Sequence, residues 1–306
     1  MIIQKISNLF ENYGACLDSK NNPKNIKELD FNKTVSIFEK YGIILFRNYS
    51  IDPKNLNSIT DRYTELYAVD AMRREKRFDK KIIRNVDLGE KDILLHSEAS
   101  FTPAWPEIIW FYCITPPKLS GGTTTLCDGI KLWKSLSFDA KNFFLLNPIN
   151  YKLKIQIEKK KTPGKNKKRK WMIGSVGSGN GYVDWNKGIL ELSLNIFAVN
   201  EGRRLNELCF ANHLLIKLNS ENQLVKRSMI NGNKIPNNLM REIKIKSDNL
   251  TYDHQWKKGD LLMIDNKRFM HGRRAYKKND VRDIVNLQTS RASFGYGSSI
   301  RKTIKL

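Results

Sequence analysis

The chain has 306 residues, of which 40% are hydrophobic and 28% are charged, and its formal net charge at pH 7 is +23. This composition is enough for one large folded domain or two small ones. No apolar run reaches the length of about 18 residues that a membrane-spanning helix needs, and the first residues lack the pattern of a secretory signal.

The large positive charge has two interpretations. Lys, Asn and Ile are abundant along the whole chain, which favours a coding bias of an AT-rich genome. A polyanionic partner, such as nucleic acid or an anionic membrane surface, is the alternative. The strongest local excess lies at residues 159–170, where eight basic side chains flank a Pro-Gly pair. That segment is predicted to be an exposed loop or hairpin tip.

In chain order, the N-terminal part is predicted to be largely helical. Residues 1–28 are expected to form a helix followed by a polar connector. A second helix is predicted from Asn32 to Tyr41, ending at Gly42, because glycine suits the left-handed position after a helix. The apolar run 43–46 predicts a buried strand, and residues 53–67 predict another helix.

From residue 108 onward the pattern favours strands. Strands are predicted at 108–114, 123–126, 151–157, 171–183, 261–264 and 284–287, and helices at 128–136, 138–146 and 201–219. No repeat or linker divides the chain. The expectation is a single domain, α+β or mainly β, with a β-rich core, N-terminal helices and a helical or hairpin insert at residues 135–250. The four scattered cysteines, without a Cys-x-x-Cys pair, predict reduced thiols in a cytoplasmic protein.

Candidate metal ligands are few, since the chain has only four histidines. His96-Ser97-Glu98 is the first candidate. On an extended strand, residues i and i+2 point to the same side, so an imidazole and a carboxylate can meet one ion. A histidine from a distant strand would complete a 2-His-1-carboxylate site, which is typical of non-haem Fe(II) oxygenases. His213 and His254 are interpreted as structural residues.

Further motifs follow His96-Ser-Glu98 along the chain. They are Pro116-Pro117, Gly121-Gly122 before three threonines, Gly259-Asp260, Asp265-Asn266, His271 and, eleven residues later, Arg282. In this order the series resembles the taurine dioxygenase-like (TauD/TfdA) family of Fe(II)/2-oxoglutarate enzymes, including its clavaminate synthase-like relatives. The resemblance spans residues 30–295.

The resemblance implies a double-stranded β-helix, or jelly roll, with the metal at its mouth. It implies that His96, Glu98 and His271 hold Fe(II). It further implies that Arg282 and Thr124 bind the distal carboxylate of 2-oxoglutarate. Thr123 is an alternative to Thr124, and Arg273, Arg274 and Arg291 are nearby alternatives to Arg282.

Two positions bear on the reaction. Glu98 stands where many members have Asp, as in the clavaminate synthase-like branch, and the presence of a carboxylate argues against halogenation. In several relatives a second arginine, four residues after the 2-oxoglutarate arginine, binds an anionic group of the substrate. That position is Asn286 here, so a taurine-like sulfonate is disfavoured.

The predicted function is oxidation of an unactivated C–H bond of a small molecule, an amino acid or biosynthetic intermediate, with O2 and 2-oxoglutarate consumed and succinate and CO2 released. Desaturation or ring formation would use the same site. The predicted substrate contacts are Arg84, Asn85, Phe101, Trp105 and Asn286, with the glycine-rich residues 174–181 as a lid or a simple turn. The alternatives are a nucleic-acid or protein substrate and a non-catalytic basic nucleic-acid-binding protein. Homo-oligomers are compatible with the sequence.

Overall fold

A computed structural model describes most of the chain. The described residues are 5–10, 13–19, 25–68, 74–78, 80–86, 89–102, 105–157, 167–172, 177–202, 207–216, 219–220 and 223–295. This part of the protein is mainly β. None of its helices has the length and apolar character needed to cross a membrane.

The elements alternate between strands and short helices in the first half of the chain. They are β1 (Lys5–Phe10), β2 (Tyr13–Asp18), α1 (Phe31–Tyr41), β3 (Ile43–Arg47), α2 (Asn57–Thr60), β4 (Thr64–Tyr67), β5 (Lys76–Arg77), β6 (Lys80–Asn85), β7 (Ile93–His96), β8 (Ile108–Thr115), β9 (Thr124–Asp128), α3 (Gly129–Ser135) and α4 (Phe138–Leu146). Three single-turn 3-10 helices lie at Ile26–Glu28, Pro53–Asn55 and Asp61–Tyr63.

The second half is richer in strands. Its elements are β10 (Ile149–Gln156), β11 (Lys167–Met172), β12 (Gly177–Asp184), β13 (Ile189–Ile196), β14 (Asn200–Glu201), β15 (Leu208–Cys209), β16 (Asn219–Ser220), β17 (Gln223–Met229), α5 (Asn237–Asn249), β18 (Tyr252–His254), β19 (Leu261–Asp265), β20 (Phe269–Arg273) and β21 (Asp283–Ala292).

Two sheets position the site described below. The large sheet has the order β1-β2-β3-β19-β8-β21-β6-β5, with β4 also paired to β21, and the small sheet has the order β18-β9-β20-β7. All strand pairs of the large sheet are antiparallel except β2 with β3. The small sheet is antiparallel throughout.

The central strands β3, β8 and β19 of the large sheet bury both faces, and successive side chains point to opposite sides as the strand period requires. On β8, Trp110 joins the core that contains Phe38 of α1. The next residue, Phe111, joins a second core with Leu126 of β9 and Phe269 of β20. The second core therefore lies between the large and small sheets, and the strands that carry the predicted ligands enclose it.

Helix α1 confirms the prediction made for residues 32–41. Asp30 caps its first turn by accepting a hydrogen bond from the Lys33 N–H. Gly42 ends the helix with φ 71°. A Cβ at Gly42 would also lie 2.5 Å from Cε2 of Phe269, so glycine is needed here both for the turn and for packing against β20.

Two helix predictions are wrong. Within residues 1–28 the structure has β1 and β2, and β2 extends the large sheet by pairing in parallel with β3, which buries Ala15 and Leu17. In the described part of 201–219 there is no helix, because the backbone turns toward the small sheet, where the Ser97 N–H donates to the Asn212 carbonyl. Residues 53–67 contain only short helical turns before β4.

The predicted insert at residues 135–250 corresponds to a third sheet, with order β11-β12-β13-β10-β17-β16, and to helices α4 and α5. Helix α5 was not predicted. In the basic segment, residues 158–166 lie outside the described residues, and 167–172 form β11. In the glycine-rich segment, 174–176 lie outside them, and 177–181 belong to strand β12 instead of a turn. The four cysteines are buried free thiols, as predicted.

Candidate active site

Two predicted metal ligands lie on neighbouring strands of the small sheet. His271 on β20 is the antiparallel partner of His96, the last residue of β7. Their ring centroids are 4.6 Å apart, and both side chains are buried. The pairing explains how two histidines that are distant in sequence come to present nitrogen atoms to one point.

Glu98 reaches the same point by a different route from the one predicted. It does not continue the strand but lies in the turn after β7, where the next residue, Ala99, has φ 52°. Its Oε2 lies 3.6 Å from Nε2 of His96. One ligand atom from each of His96, Glu98 and His271 lies within 4.8 Å of the others.

These donors fit a divalent cation. The Leu94 carbonyl lies 2.9 Å from Nδ1 of His96, and since a carbonyl only accepts, that nitrogen carries the hydrogen and Nε2 presents its lone pair. Burial and the adjacent His96 hold the pKa of His271 well below its usual range. Burial would raise the pKa of Glu98, but Arg74 and His96 hold it well below its usual value. The three side chains thus offer two imidazole nitrogens and one carboxylate to a cation.

Ser97, which lies between His96 and Glu98 in the sequence, is held by hydrogen bonds from both its backbone and its side chain. Its backbone carbonyl accepts from Nδ1 of His213 at 2.7 Å. Its hydroxyl donates to the Asn266 carbonyl at 2.5 Å and accepts from Nε1 of Trp105 at 2.8 Å. The His213 ring also contacts the His96 ring edge-on at 5.0 Å. The His-x-Glu segment is therefore held by the nearby Trp105 and by two residues that are distant in sequence, His213 and Asn266.

Arg282 lies immediately before β21, beside the first residue of β9. Its Nε donates to the Gly122 carbonyl at 2.7 Å, and one terminal nitrogen lies 3.4 Å from Oγ1 of Thr124. Gly122 has φ 68°, and a Cβ there would lie 3.2 Å from Cδ of Arg282. Burial and the nearby Arg273 lower the pKa of Arg282 to about 10, so the guanidinium remains charged at neutral pH.

The two threonine alternatives have different surroundings. Thr124 accepts a hydrogen bond from Nε1 of Trp256 at 3.0 Å and lines the pocket with Arg282. Thr123 instead donates to Asp253 at 3.0 Å. With its acceptor function used, the Thr124 hydroxyl hydrogen is directed elsewhere and can serve a carboxylate in the pocket.

One pocket contains both the metal-ligand group and Arg282. Its lining consists of Arg74, Val86, Ile93, His96, Glu98, Ile109, Phe111, Thr124, His271, Gly272, Arg273, Arg282, Asn286 and Gln288. The aliphatic and aromatic members come from both sheets and surround the ligands with apolar walls. Such a pocket, with a few convergent polar groups, is typical of a small-molecule site.

The predicted substrate residues divide into two groups. Asn286 lines the pocket, and its Oδ1 is buried with no hydrogen-bond partner among the described residues. The other four do not line it. The Asn85 amide is bonded to Arg77 and Glu75, and Arg84 donates to the Arg74 carbonyl.

Phe101 and Trp105 contact residues that support the predicted metal ligands, not the ligands themselves. The Phe101 ring contacts the His213 ring at 4.8 Å, and Trp105 bonds Ser97. Their role as substrate contacts stays a prediction. Of the alternatives to Arg282, Arg273 lines the pocket. Arg274 and Arg291 are exposed and pair with Asp253 and Glu65.

Sequence reasoning did not place two residues at the site. Arg74, which forms an ion pair with Glu98 at 2.8 Å, belongs to no motif and gave no signal. His213 was assigned a structural role within a predicted helix, yet it lies against His96; burial and the adjacent His96 lower its pKa to about 3.

Several known proteins are similar to this chain. A synthase from Fischerella ambigua (strain UTEX 1903), which forms 3-((Z)-2-isocyanoethenyl)-1H-indole, is 20% identical over 274 residues, covering 89% of this chain and 90% of the relative. The PvcB structure from Pseudomonas aeruginosa has a TM-score of 0.59 at 13% identity, covering 93% of this chain and 91% of PvcB. PvcB is described as an Fe, alpha-ketoglutarate dependent oxygenase from an isonitrile synthetic pathway.

A taurine dioxygenase structure from Burkholderia xenovorans has a TM-score of 0.58 at 12% identity, covering 94% of this chain and 90% of the other. At these identities the structural matches establish the fold alone. The family assignment rests on a sequence model. The model of the taurine catabolism dioxygenase TauD, TfdA family matches residues 9–170 and 204–288. As the sequence motifs predicted, the chain belongs to this family of Fe(II)- and 2-oxoglutarate-dependent dioxygenases.

Proposed function

We propose that this chain binds Fe(II) through His96, Glu98 and His271, binds 2-oxoglutarate through Arg282 and Thr124, and oxidises an unactivated C–H bond of a small molecule. The observation that carries the proposal is the group of three ligand atoms within 4.8 Å of one another in a pocket that also contains Arg282. Membership of a dioxygenase family opposes the alternative of a non-catalytic binding protein.

A 2-His-1-carboxylate set suits this chemistry because it would hold Fe(II) through three protein ligands and would leave positions open for 2-oxoglutarate and O2. Bound Fe(II) with 2-oxoglutarate supplies the oxidising power, at the expense of O2 and with release of succinate and CO2. The protein contributes binding, orientation and exclusion of water. Val86, Ile109 and Phe111 supply the apolar wall that keeps water out.

The co-substrate end of the pocket is charged and already organised. Arg282 donates from Nε to the Gly122 carbonyl, which orients the planar guanidinium. One terminal nitrogen also donates to Oγ1 of Thr124 at 3.4 Å, and the remaining N–H groups of the two terminal nitrogens can bind a carboxylate bidentately. Trp256 holds the Thr124 oxygen, so that its hydroxyl hydrogen is available as an additional donor. Neither group needs to lose hydrogen-bond partners when 2-oxoglutarate binds.

Burial of the ligands supports a small substrate, since His96 and His271 are only 7% and 5% exposed. The buried side-chain carbonyl oxygen of Asn286 lies in the pocket and has no hydrogen-bond partner in the described part of the chain, which favours a substrate with a hydrogen-bond donor. Hydroxylation and desaturation both fit the site. The similar Fischerella protein is named for an ethenyl product, which supports including desaturation.

The fold proposal is that the large and small sheets form a double-stranded β-helix within a single domain of residues 1–306. The shared core between the two sheets supports it. So does the position of the third sheet, which lies between β9 and β18 in the chain and thus interrupts the small sheet as an insert. A cytoplasmic location remains part of the proposal.

Anaerobic titration of the apo-protein with Fe(II) and 2-oxoglutarate tests the cofactor assignment through the weak visible charge-transfer band of the chelate. The band is expected in the wild type, absent in His271→Ala and weaker in Arg282→Ala. Arg274→Ala, which removes a nearby exposed arginine paired with Asp253, is the matched control and should keep the band. A folded, metal-loaded wild type without the band would refute the proposal.

A further inference from the structure

The Glu98 carboxylate has two different environments at its two oxygens. Oε1 accepts a hydrogen bond from a terminal nitrogen of Arg74 at 2.8 Å. Oε2 is the oxygen that faces His96, 3.6 Å from its Nε2. Oε1 is thus bound by the protein, and Oε2 is the oxygen that remains to bind an ion.

This division matters because a carboxylate can bind a metal through one oxygen or through both. The facial arrangement needs Glu98 to use one position, so that three positions stay open for 2-oxoglutarate and O2. A glutamate carboxylate lies at the end of several rotatable bonds, so it can present one oxygen or both to an ion unless its orientation is fixed. Something in the protein must therefore fix its orientation.

Arg74 is itself held in place. Its side chain is 11% exposed, and its backbone carbonyl accepts a hydrogen bond from Arg84 at 2.8 Å. Arg84 lies on β6, which pairs with β21 in the large sheet. A chain of contacts thus runs from the large sheet through Arg84 and Arg74 to Glu98 on the opposite side of the pocket.

We propose that Arg74 is a positioning residue that holds Oε1 of Glu98, so that Glu98 binds the metal through Oε2 alone. The inference rests on the proposed function, because it requires Glu98 to be a metal ligand. It assigns to Arg84 a role different from the predicted substrate contact: Arg84 anchors the backbone of Arg74.

The test measures Mn(II) affinity, using electron paramagnetic resonance of the free ion, on the purified full-length chain without 2-oxoglutarate. The central variant is Arg74→Lys, which keeps the positive charge and loses the planar guanidinium. Loss of a group that orients a metal ligand typically weakens metal binding about 10- to 100-fold. We expect the dissociation constant of Arg74→Lys to rise about 10-fold.

Arg74→Gln separates geometry from charge. Removing a positive charge beside a cation site would by itself tighten metal binding, so an electrostatic role predicts tighter binding in Arg74→Gln and no change in Arg74→Lys. A positioning role predicts weaker binding in both. Arg77→Gln is the matched control. Arg77 lies in the same segment as Arg74, and the substitution removes its ion pair with Asp283, which does not involve Glu98. It should stay within about twofold of the wild type.

A double-mutant cycle with Glu98→Ala tests whether Arg74 acts through Glu98. In that background Arg74→Lys should have no further effect, and an equal effect there would overturn the proposal. An Arg74→Lys affinity within twofold of the wild type would also overturn it. If Arg74→Gln fails to fold by circular dichroism, Arg74→Lys alone decides.

The anaerobic Fe(II)–2-oxoglutarate band distinguishes the two levels of failure. A wild type that gives the band, together with Arg74 variants of unchanged affinity and unchanged band, would remove only the role of Arg74. A wild type that binds neither Mn(II) nor Fe(II) would remove the proposed function together with this inference. At saturating metal, a weaker band in Arg74→Lys is expected, because a freed Glu98 carboxylate can occupy a second position.

Discussion

The side-chain amide of Asn266 pairs with both backbone groups of Glu98. The Glu98 N–H donates to Oδ1 of Asn266 at 2.9 Å, and Nδ2 of Asn266 donates to the Glu98 carbonyl at 3.0 Å. The same Nδ2 also donates to the Pro106 carbonyl at 2.9 Å. The amide thus takes the place of a neighbouring strand at the point where β7 has ended, and it holds the turn that carries the carboxylate ligand.

Replacing Asn266 with Ala should therefore affect stability and the site together. The change removes the partners of three backbone groups, in one buried and two partly buried hydrogen bonds, and an unsatisfied buried group costs about 1–3 kcal/mol. We expect a loss of about 2–3 kcal/mol in the free energy of unfolding, measured by urea denaturation, and a higher Mn(II) dissociation constant in the fraction that remains folded.

Asn150→Ala is the control for this prediction. Asn150 is also a buried asparagine, but its amide bonds Ser193 and Asn195 in the third sheet. It should lose stability without any change in metal affinity. Equal metal affinity in Asn266→Ala and the wild type would mean that the turn keeps its shape without the amide.

The two adjacent threonines should respond differently to substitution by Val. Thr124→Val removes the hydroxyl that faces Arg282 and is expected to raise the dissociation constant of 2-oxoglutarate about 2- to 10-fold, the effect of one hydrogen bond. It should also lower stability by about 1–3 kcal/mol, since the buried Trp256 N–H loses its acceptor. Thr123→Val removes only a bond to Asp253 and should bind 2-oxoglutarate like the wild type. Equal losses of 2-oxoglutarate binding in both variants would contradict this assignment.

The stability of the apo-protein should fall as the pH is lowered from 6.5 toward 3. Burial and the adjacent His96 lower the pKa of His213 from 6.5 to about 3. The folded protein therefore keeps His213 neutral in this window, whereas the unfolded chain takes up a proton. Stability falls wherever the unfolded state binds more protons, by up to about 1.4 kcal/mol per pH unit for one group.

His213→Gln tests this linkage because glutamine does not titrate and can still donate to the Ser97 carbonyl. Urea unfolding at several pH values between 4 and 7, with a chelator present, should give a shallower dependence on pH in the variant than in the wild type, by about 1 kcal/mol per pH unit. Some dependence should remain, because burial also lowers the pKa of His254 and of His271. Superimposable pH profiles would show that His213 titrates normally in the folded protein.

The sequence was sufficient for those features that depend on local pattern or on ordered motifs. Helix α1 has its capping residue and its terminal glycine within the helix segment itself, and the motif order identified the family. The order alone also indicated that His96 and His271 would meet, although their contact depends on pairing between β7 and β20.

Features that depend on non-local pairing were missed. Strand β2 is held in place by pairing with β3 and burial of Ala15 and Leu17, and nothing within residues 1–28 distinguishes that outcome from a helix. Arg74 is 24 residues from Glu98 in sequence, and their contact follows from how the large sheet approaches the small one. His213 reaches His96 through an irregular segment, which a search for periodic patterns does not detect.

Gly272, directly after His271, fits between two strands with no room for a side chain. A Cβ at this position would lie 2.4 Å from the Ile93 carbonyl oxygen of β7 and 2.7 Å from Oγ1 of Thr125 on β9. The first of these atoms belongs to the backbone, so Gly272→Ala must push β20 away from β7 and thereby separate His271 from His96. We expect a loss of about 1–3 kcal/mol in stability and clearly weaker Mn(II) binding. Gly89→Ala is the matched control, since nothing lies within 4 Å of a Cβ there, and it should leave both quantities unchanged. Normal metal affinity in a folded Gly272→Ala protein would mean that the two strands can separate without moving the ligands, and the pairing of His96 with His271 would then not be what sets the site.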